Sequence, residues 1–189
     1  PQSPYALTGV NTTVQLAPKT KLIAELAASE RARGSDSESD RETGRAQRIE
    51  LTHESGDFKA RVYAGRTDPA FDNPSAPLSK GRGESGAKLD YRLDEKTTLR
   101  SEAIHTEDTA TGGSRDGVSA GVERVLAPGV RLEGGMRHAR ESTTPAQDGS
   151  PGGLDLTTVR AKLSAQVPGY PQATVFAEGE HRVRGSGGL

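Results

Sequence analysis

The sequence predicts an all-β fold, an antiparallel up-and-down meander of about ten strands that builds an outer-membrane-type β-barrel or an incomplete part of one. Three observations support this prediction. Apolar and charged residues alternate with a period of two along most of the chain, the pattern of strands with one apolar face. Short and long polar connections also alternate. None of the eleven prolines falls inside a predicted strand, where proline would remove a ladder hydrogen bond.

The elements form five predicted hairpins, each with a short turn between two alternating stretches. The first joins 6–16 to 21–31. KLIAELAASERAR has helical propensity, but it occupies a position where the other repeats are strands. The remaining four join 46–54 to 57–66, 86–93 to 98–107, 117–126 to 130–141, and 154–167 to 173–183. Longer connections are predicted at 32–45, 67–85, 109–115 and 143–153.

Each hairpin is justified by the apolar residues that its two strands place on a common face. Stretch 46–54 has the weakest pattern, because only Ile49 and Leu51 are set against several charged residues. Four of the five turns contain proline or glycine, which are turn-forming residues. The third turn, Asp94-Glu95-Lys96-Thr97, consists of polar residues. In chain order the apolar pairs are Val10 and Val14 with Leu22 and Leu26, Ile49 and Leu51 with Val62 and Ala64, Leu89 and Tyr91 with Leu99 and Ala103, Val118 and Val122 with Leu132 and Met136, and Val159 and Leu163 with Val175 and Ala177.

Composition limits the function classes. The chain has 189 residues, enough for one domain over 1–189, of which 31% are hydrophobic, 4% aromatic and 27% charged, too few large apolar residues for a conventional soluble core. Such a composition is common in disordered chains, but disorder does not predict strict alternation. With a net charge of −1, the chain lacks the excess of basic residues expected of a protein that binds nucleic acid. The absence of cysteine excludes disulfides and thiol chemistry.

The alternation raises the question of which medium covers the apolar face. An outer-membrane barrel turns that face toward lipid and keeps charges around a water-filled interior, and its short turns and long loops lie at opposite ends. Predicted strands of about 9–13 residues match the roughly 9–11 that a tilted strand needs to span a bilayer. Sparse aromatic residues and an alanine-rich apolar face leave an alternative open, a soluble or surface-exposed β-repeat module used in adhesion.

Three segments carry a resemblance to a known family: TTVQLAPKTKLIAELAASE, FDNPSAPLSKGRGESGAKLDYRLDEKTTLRSEAIHTED and GVSAGVERVLAPGVRLEGGMRHA. They resemble the barrel-forming region of large multidomain outer-membrane and surface proteins of Gram-negative bacteria. The resemblance implies a location in the outer membrane of a Gram-negative bacterium, with lipid and other domains of a larger surface protein as partners. It also implies a role in anchoring, adhesion or passive, porin-like passage. The ending RGSGGL departs from an aromatic-terminated last strand, so closure and assembly signals are expected to be missing or to lie beyond this sequence.

A sparse belt of charges is the main candidate site. Aligning the second strands of the hairpins places Glu25, Arg61, Glu102 and Glu178 at corresponding positions, with Gly135 in the fourth. Such a ring in a lumen would bias ion passage, whereas the structural alternative is a ladder of ion pairs left by repeat duplication. The residues predicted to form lumen ion pairs are Lys88, Asp90, Arg92, Arg100, Arg131 and Glu133.

Catalysis, metals and cofactors are not predicted. No nucleophile, zinc-protease, phosphate-loop or dinucleotide motif occurs, so we expect a protein that is not an enzyme. His105, His138 and His181 share the apolar face on alternate predicted strands. Backbones two strands apart are separated by about 10 Å, while zinc requires every ligand at about 2 Å. These histidines are therefore predicted to lie at the membrane–water boundary.

Overall fold

The ten predicted strands form one antiparallel sheet in the order of the chain, so the predicted all-β up-and-down fold class is confirmed. The computed structural model describes residues 5–32, 41–73, 80–143 and 153–186. No helix within these ranges is long and apolar enough to cross a membrane. The strands are β1 (Tyr5–Ala17), β2 (Thr20–Ala32), β3 (Arg41–Glu54), β4 (Phe58–Thr67), β5 (Arg82–Arg92), β6 (Thr97–Asp108), β7 (Ser114–Ala127), β8 (Val130–Ser142), β9 (Gly153–Val167) and β10 (Tyr170–Ser186).

Four strands begin at least three residues earlier than the alternation predicts, and one of them is β10, which begins at 170 instead of 173. β3 begins at 41 instead of 46, β5 at 82 instead of 86, and β7 at 114 instead of 117. The residues added to β3, β5 and β7 are polar or glycine, but their backbones continue the ladders, with Arg41 opposite Ala32 and Arg82 opposite Asp108. The predicted connections are shorter by these residues, and their parts at 33–40, 74–79 and 144–152 lie outside the described ranges.

The short turns have the expected local chemistry. Gly129 and Gly169 follow prolines and have φ values of 75° and 79°, the left-handed conformation that a type II turn places on glycine. In the third hairpin the Asp94 Oδ1 atom accepts a hydrogen bond of 2.7 Å from the backbone N–H of Lys96. Because this bond favours the carboxylate, it lowers the pKa of Asp94.

The pairing register sorts the side chains into two faces, because directly opposite residues project to the same side of a sheet. One row runs through Leu22, Leu51, Val62, Ala87 and Ala103 on β2 to β6. We call this set of positions the apolar register. The neighbouring row runs through Lys21, Thr52, Arg61, Lys88 and Glu102 on the same strands. We call that set the charged register.

The sheet is a single layer with both faces exposed. The accessible surface of the 19.9 kDa chain is 13674 Å², whereas a globular protein of this mass exposes about 8,700 Å². Phe71 is the only buried apolar residue among the described ones. Large exposed side chains on the apolar register are Val10, Val14, Leu26, Ile49, Leu51, Val62, Tyr91, Leu99, Val118, Val122, Leu132, Met136, Val159, Leu163 and Val175.

The sheet is also sheared in a regular way. The charged-register row through Lys21 continues through Arg61, Glu102 and Arg137. These residues lie one, three, five and seven positions after the first residues of β2, β4, β6 and β8. The edge of short turns therefore shifts by one residue per strand. With a rise of about 3.4 Å per residue and strands about 4.8 Å apart, a level edge requires a strand tilt of about 35°.

This tilt falls within the roughly 35–45° that barrels adopt. Within the described ranges no backbone ladder joins β1 to β10, so the sheet has two free edges. The structure thus has the strand order and shear of a barrel wall, in an open form.

Candidate functional site on the charged face

The three predicted belt glutamates lie on one line parallel to the edge of short turns. Glu25 follows Lys21 by four residues, and Glu178 precedes Arg182 by four residues. Lys21, Glu102 and Arg182 belong to a single row of opposed residues. From β2 to β6, and again from β6 to β10, this row moves four residues farther from the edge of short turns. Glu25 and Glu178 differ from the row by four residues in the directions that cancel this movement. All three glutamates therefore lie at the same distance from the edge.

Arg61 reaches the belt with its side chain. Its backbone lies three residues into β4, so Tyr63, five residues into the strand, holds the belt position. The Arg61 guanidinium lies over the Tyr63 ring at 5.0 Å from its centroid. The same guanidinium donates two hydrogen bonds of 2.9 Å to the carboxylate of Glu50, which is directly opposite Tyr63.

Glu50 and Glu123 each lie beside two arginines, a role that the sequence did not predict for them. Glu50 accepts from Arg48 at 2.7 Å as well as from Arg61, and its side chain is 12% exposed. Glu123 lies 3.0 Å from Arg100 and 4.0 Å from Arg131. Alternation places both glutamates on the charged face, but only the register shows which arginines meet there.

The predicted ion-pair residues occupy different parts of this arrangement. Arg100 also lies 3.5 Å from Asp90, which links β5, β6, β7 and β8 into one chain of charges. Glu133 lies 3.8 Å from Arg160, and Arg160 lies 3.5 Å from Glu178, which links β8, β9 and β10.

Arg92 and Lys88 do not take part in these two series of ion pairs. Arg92 lies 3.9 Å from Asp57 in the turn before β4. Lys88 is directly opposite Glu102 and Arg61 but forms no ion pair with another described residue. Exposed pairs of this kind contribute about 0–1 kcal/mol each to stability. Their main consequence is a hydrated face with nearly balanced charge.

A cavity of about 400 Å³ lies on this face and is lined by residues of six strands, β5 to β10. Lys88 and Glu102 line one part of it, and Arg137, Arg160 and Glu180 line another. Within the described ranges no cluster of three or more histidine, cysteine, aspartate or glutamate side chains has the geometry to hold a metal ion. The cavity presents both charge signs to water, an arrangement suited to hydrated ions.

The residues 68–73 fold back over the charged face at the end with the long connections. Phe71 is 1% exposed and its backbone packs directly on Gly44. The backbone N–H of Asp72 donates to Ser29 Oγ at 2.9 Å, and the Tyr5 hydroxyl donates to the Asp72 carbonyl at 2.6 Å. The predicted long connection 67–85 is therefore anchored in this part, and Phe71 covers the face between β2 and β4.

Two of the three histidines predicted to lie at the membrane–water boundary have polar partners near the same end. His105 Nδ1 lies 2.6 Å from Asp116 Oδ1, and His138 Nδ1 lies 2.9 Å from the Thr157 hydroxyl. His181 is opposite Val159. Polar partners on an otherwise apolar face are expected where that face meets water.

The chain matches no protein-family model and no curated protein. Among solved structures it is similar to the crystal structure of an outer-membrane channel from Pseudomonas putida F1. The sequence identity is 12% and the TM-score is 0.46, with 97% of this chain and 77% of that chain covered. A likeness of this degree carries no functional argument.

Proposed function

We propose that the chain forms a wall segment of an outer-membrane β-barrel and serves as a structural anchor, with its apolar register on lipid and its charged register on water. The exposed apolar register carries this proposal. Monomeric soluble proteins rarely expose contiguous apolar patches larger than a few hundred Å², and here one whole face of a ten-stranded sheet is exposed. The anchor would hold other domains of a larger surface protein at the membrane. No catalytic role is proposed.

The charged register supports this orientation. One arginine or lysine facing lipid at mid-depth costs about 2–4 kcal/mol, and the ion pairs from Glu50 to Glu178 place several such residues on one face. Nine residues at the tilt of about 35° rise about 25 Å along the membrane normal, close to the height of the apolar band of such barrels.

Site-directed spin labelling tests the orientation, because the chain has no native cysteine. Val118 and Ser119 are neighbours on β7 in opposite registers, as are Leu163 and Ser164 on β9. In lipid vesicles we expect labels at 118 and 163 to be accessible to oxygen, which concentrates in lipid. Labels at 119 and 164 should be accessible to a water-soluble nickel complex. The reverse result would contradict the orientation, and accessibility of all four to nickel would favour the soluble adhesion module.

Passive, porin-like passage is the second candidate, favoured by the level belt of glutamates. Glu25 and Glu102 form no ion pair with another described residue, which leaves two carboxylates to attract cations. Replacing Glu25, Glu102 and Glu178 by glutamine should lower the cation preference of the current in planar bilayers. Stability should change little, since exposed carboxylates contribute little to it.

The same recordings separate the two candidates. An anchor inserts without any conductance, and the glutamine variants then leave the recordings unchanged. Replacing Glu95, an exposed residue of the third turn, is the matched control and should alter neither current nor selectivity.

A further inference from the structure

Two glycines leave a hollow in the middle of the charged face. Gly121 on β7 and Gly135 on β8 are directly opposite each other. In the same row of the charged register, Arg100 lies on one side of this pair and Arg160 lies on the other. Because glycine has no side chain, the backbone forms the floor of the cavity of about 400 Å³ on this face. A cavity of this volume can hold a small organic molecule.

The two arginines beside the floor are balanced by carboxylates of the protein. The Arg100 guanidinium lies 3.5 Å from the Asp90 carboxylate and 3.0 Å from the Glu123 carboxylate. The Arg160 guanidinium likewise lies between two glutamate carboxylates, at 3.8 and 3.5 Å. Neither arginine therefore offers an uncompensated positive charge to a ligand.

Two opposite charges lie on the side of the cavity toward the long connections. Arg137 on β8 and Glu102 on β6 line the cavity, and both are exposed. Ser119 on β7 lies directly opposite each of them, so one small side chain separates them. Their backbones are two strand spacings apart, about 10 Å. Neither side chain forms an ion pair within the part of the chain that the structure describes.

The lining as a whole carries both signs in nearly equal number. Lysine and arginine supply four of its side chains, and aspartate and glutamate supply five. Lys88, which is opposite Glu102, and Glu180, which is opposite Arg160, are among them. An ion of one sign is attracted by part of this lining and repelled by the rest. A neutral ligand that carries both charges is attracted by both parts.

We propose that this cavity binds a small zwitterion, a molecule with one carboxylate and one ammonium group, the class to which free α-amino acids belong. Arg137 binds the carboxylate through paired hydrogen bonds, and Glu102 accepts hydrogen bonds from the ammonium group. The rest of the ligand lies over the floor formed by Gly121 and Gly135. This inference goes beyond the proposed anchor, and it requires neither contact with lipid nor a conducting lumen.

The test compares three ligands of similar size: alanine, propionate, which lacks the ammonium group, and ethylammonium, which lacks the carboxylate. Saturation-transfer NMR titrations of the full chain in micelles of a non-ionic detergent give the Kd of each ligand. Alanine should bind about fivefold more tightly than either of the others, which is the largest effect expected of one exposed ion pair. Equal affinities for the three ligands, or no binding of alanine, would overturn the inference.

Two single variants separate the two contacts. R137Q should weaken alanine binding about fivefold and leave ethylammonium binding unchanged. E102Q should weaken alanine binding by a similar factor and leave propionate binding unchanged. S119L fills the space between these two side chains without altering any charge, and it should weaken alanine binding at least as much as R137Q does. Unchanged alanine binding in S119L would place the ligand elsewhere and contradict the proposed site.

The controls remove one charge of each sign from positions that do not line the cavity. K21Q changes a residue of the same row on β2, and E95Q changes an exposed residue of the third turn. Both variants should bind alanine as the wild type does. A loss in K21Q equal to that in R137Q, or a loss in E95Q equal to that in E102Q, would show a general effect of surface charge and overturn the inference.

Discussion

Replacing Leu26 by arginine is expected to lower the free energy of unfolding in lipid vesicles by about 2–4 kcal/mol. Leu26 lies six residues into β2, is 59% exposed and is opposite Val10 on the apolar register. At this position the proposed orientation places the new guanidinium near the centre of the bilayer. Reversible urea unfolding followed by the circular dichroism of the sheet would measure the loss.

The isomeric residue Ile23 on the same strand supplies the control. Ile23 belongs to the charged register and is directly opposite Glu50, so an arginine there has water and a carboxylate beside it. Ile23→Arg should change the free energy of unfolding by less than about 1 kcal/mol. Equal losses in the two variants would show that neither face meets lipid. A larger loss at Ile23 would mean that the sheet is oriented the other way round.

Replacing Gly44 by alanine is expected to displace residues 68–73 from the charged face at a cost of about 1–3 kcal/mol. A Cβ at this position would overlap the backbone N and Cα atoms of Phe71, and a backbone cannot rotate away as a side chain can. The displacement would expose Phe71 and break the hydrogen bond between Asp72 and Ser29. Chymotrypsin should then cleave after Phe71 faster than in the wild type.

Gly134 on β8 provides the comparison for Gly44. A Cβ there meets no atom within 4 Å, so Gly134→Ala should leave cleavage after Phe71 unchanged and the stability within about 1 kcal/mol of the wild type. If Gly44→Ala left both the cleavage rate and the stability unchanged, residues 68–73 would not be held on the charged face by the packing of Phe71 against β3.

The strand positions and their faces could be predicted because they depend on local chemistry. Alternation fixes which side chains share a face, and turn residues fix where the chain reverses. The stretch 21–31 was correctly predicted as a strand in spite of its helical propensity, because it occupies the position of a strand in the repeated hairpins. The early starts of β3, β5 and β7 could not be predicted, since their first residues are polar and are held by backbone bonds to a neighbouring strand.

The site was predictable only in part. The positions of Glu25, Glu102 and Glu178 followed from aligning the hairpins, although their common level depends on a shear that the sequence does not display. The partners of Glu50 and Glu123 were not predictable. An ion pair joins side chains of different strands, and long arginine side chains reach beyond the directly opposite residue, as Arg61 does toward Tyr63.

The sequence by itself determined a ten-stranded meander with one apolar and one charged face, because a period of two acts on each strand separately. Only the tertiary structure decided the shear of the sheet, the packing of Phe71 on Gly44 and the ion pairs of Glu50 and Glu123. Each of these depends on the register between strands far apart in the chain. Register is set by the sum of backbone hydrogen bonds and cross-strand contacts, and no single segment carries that information.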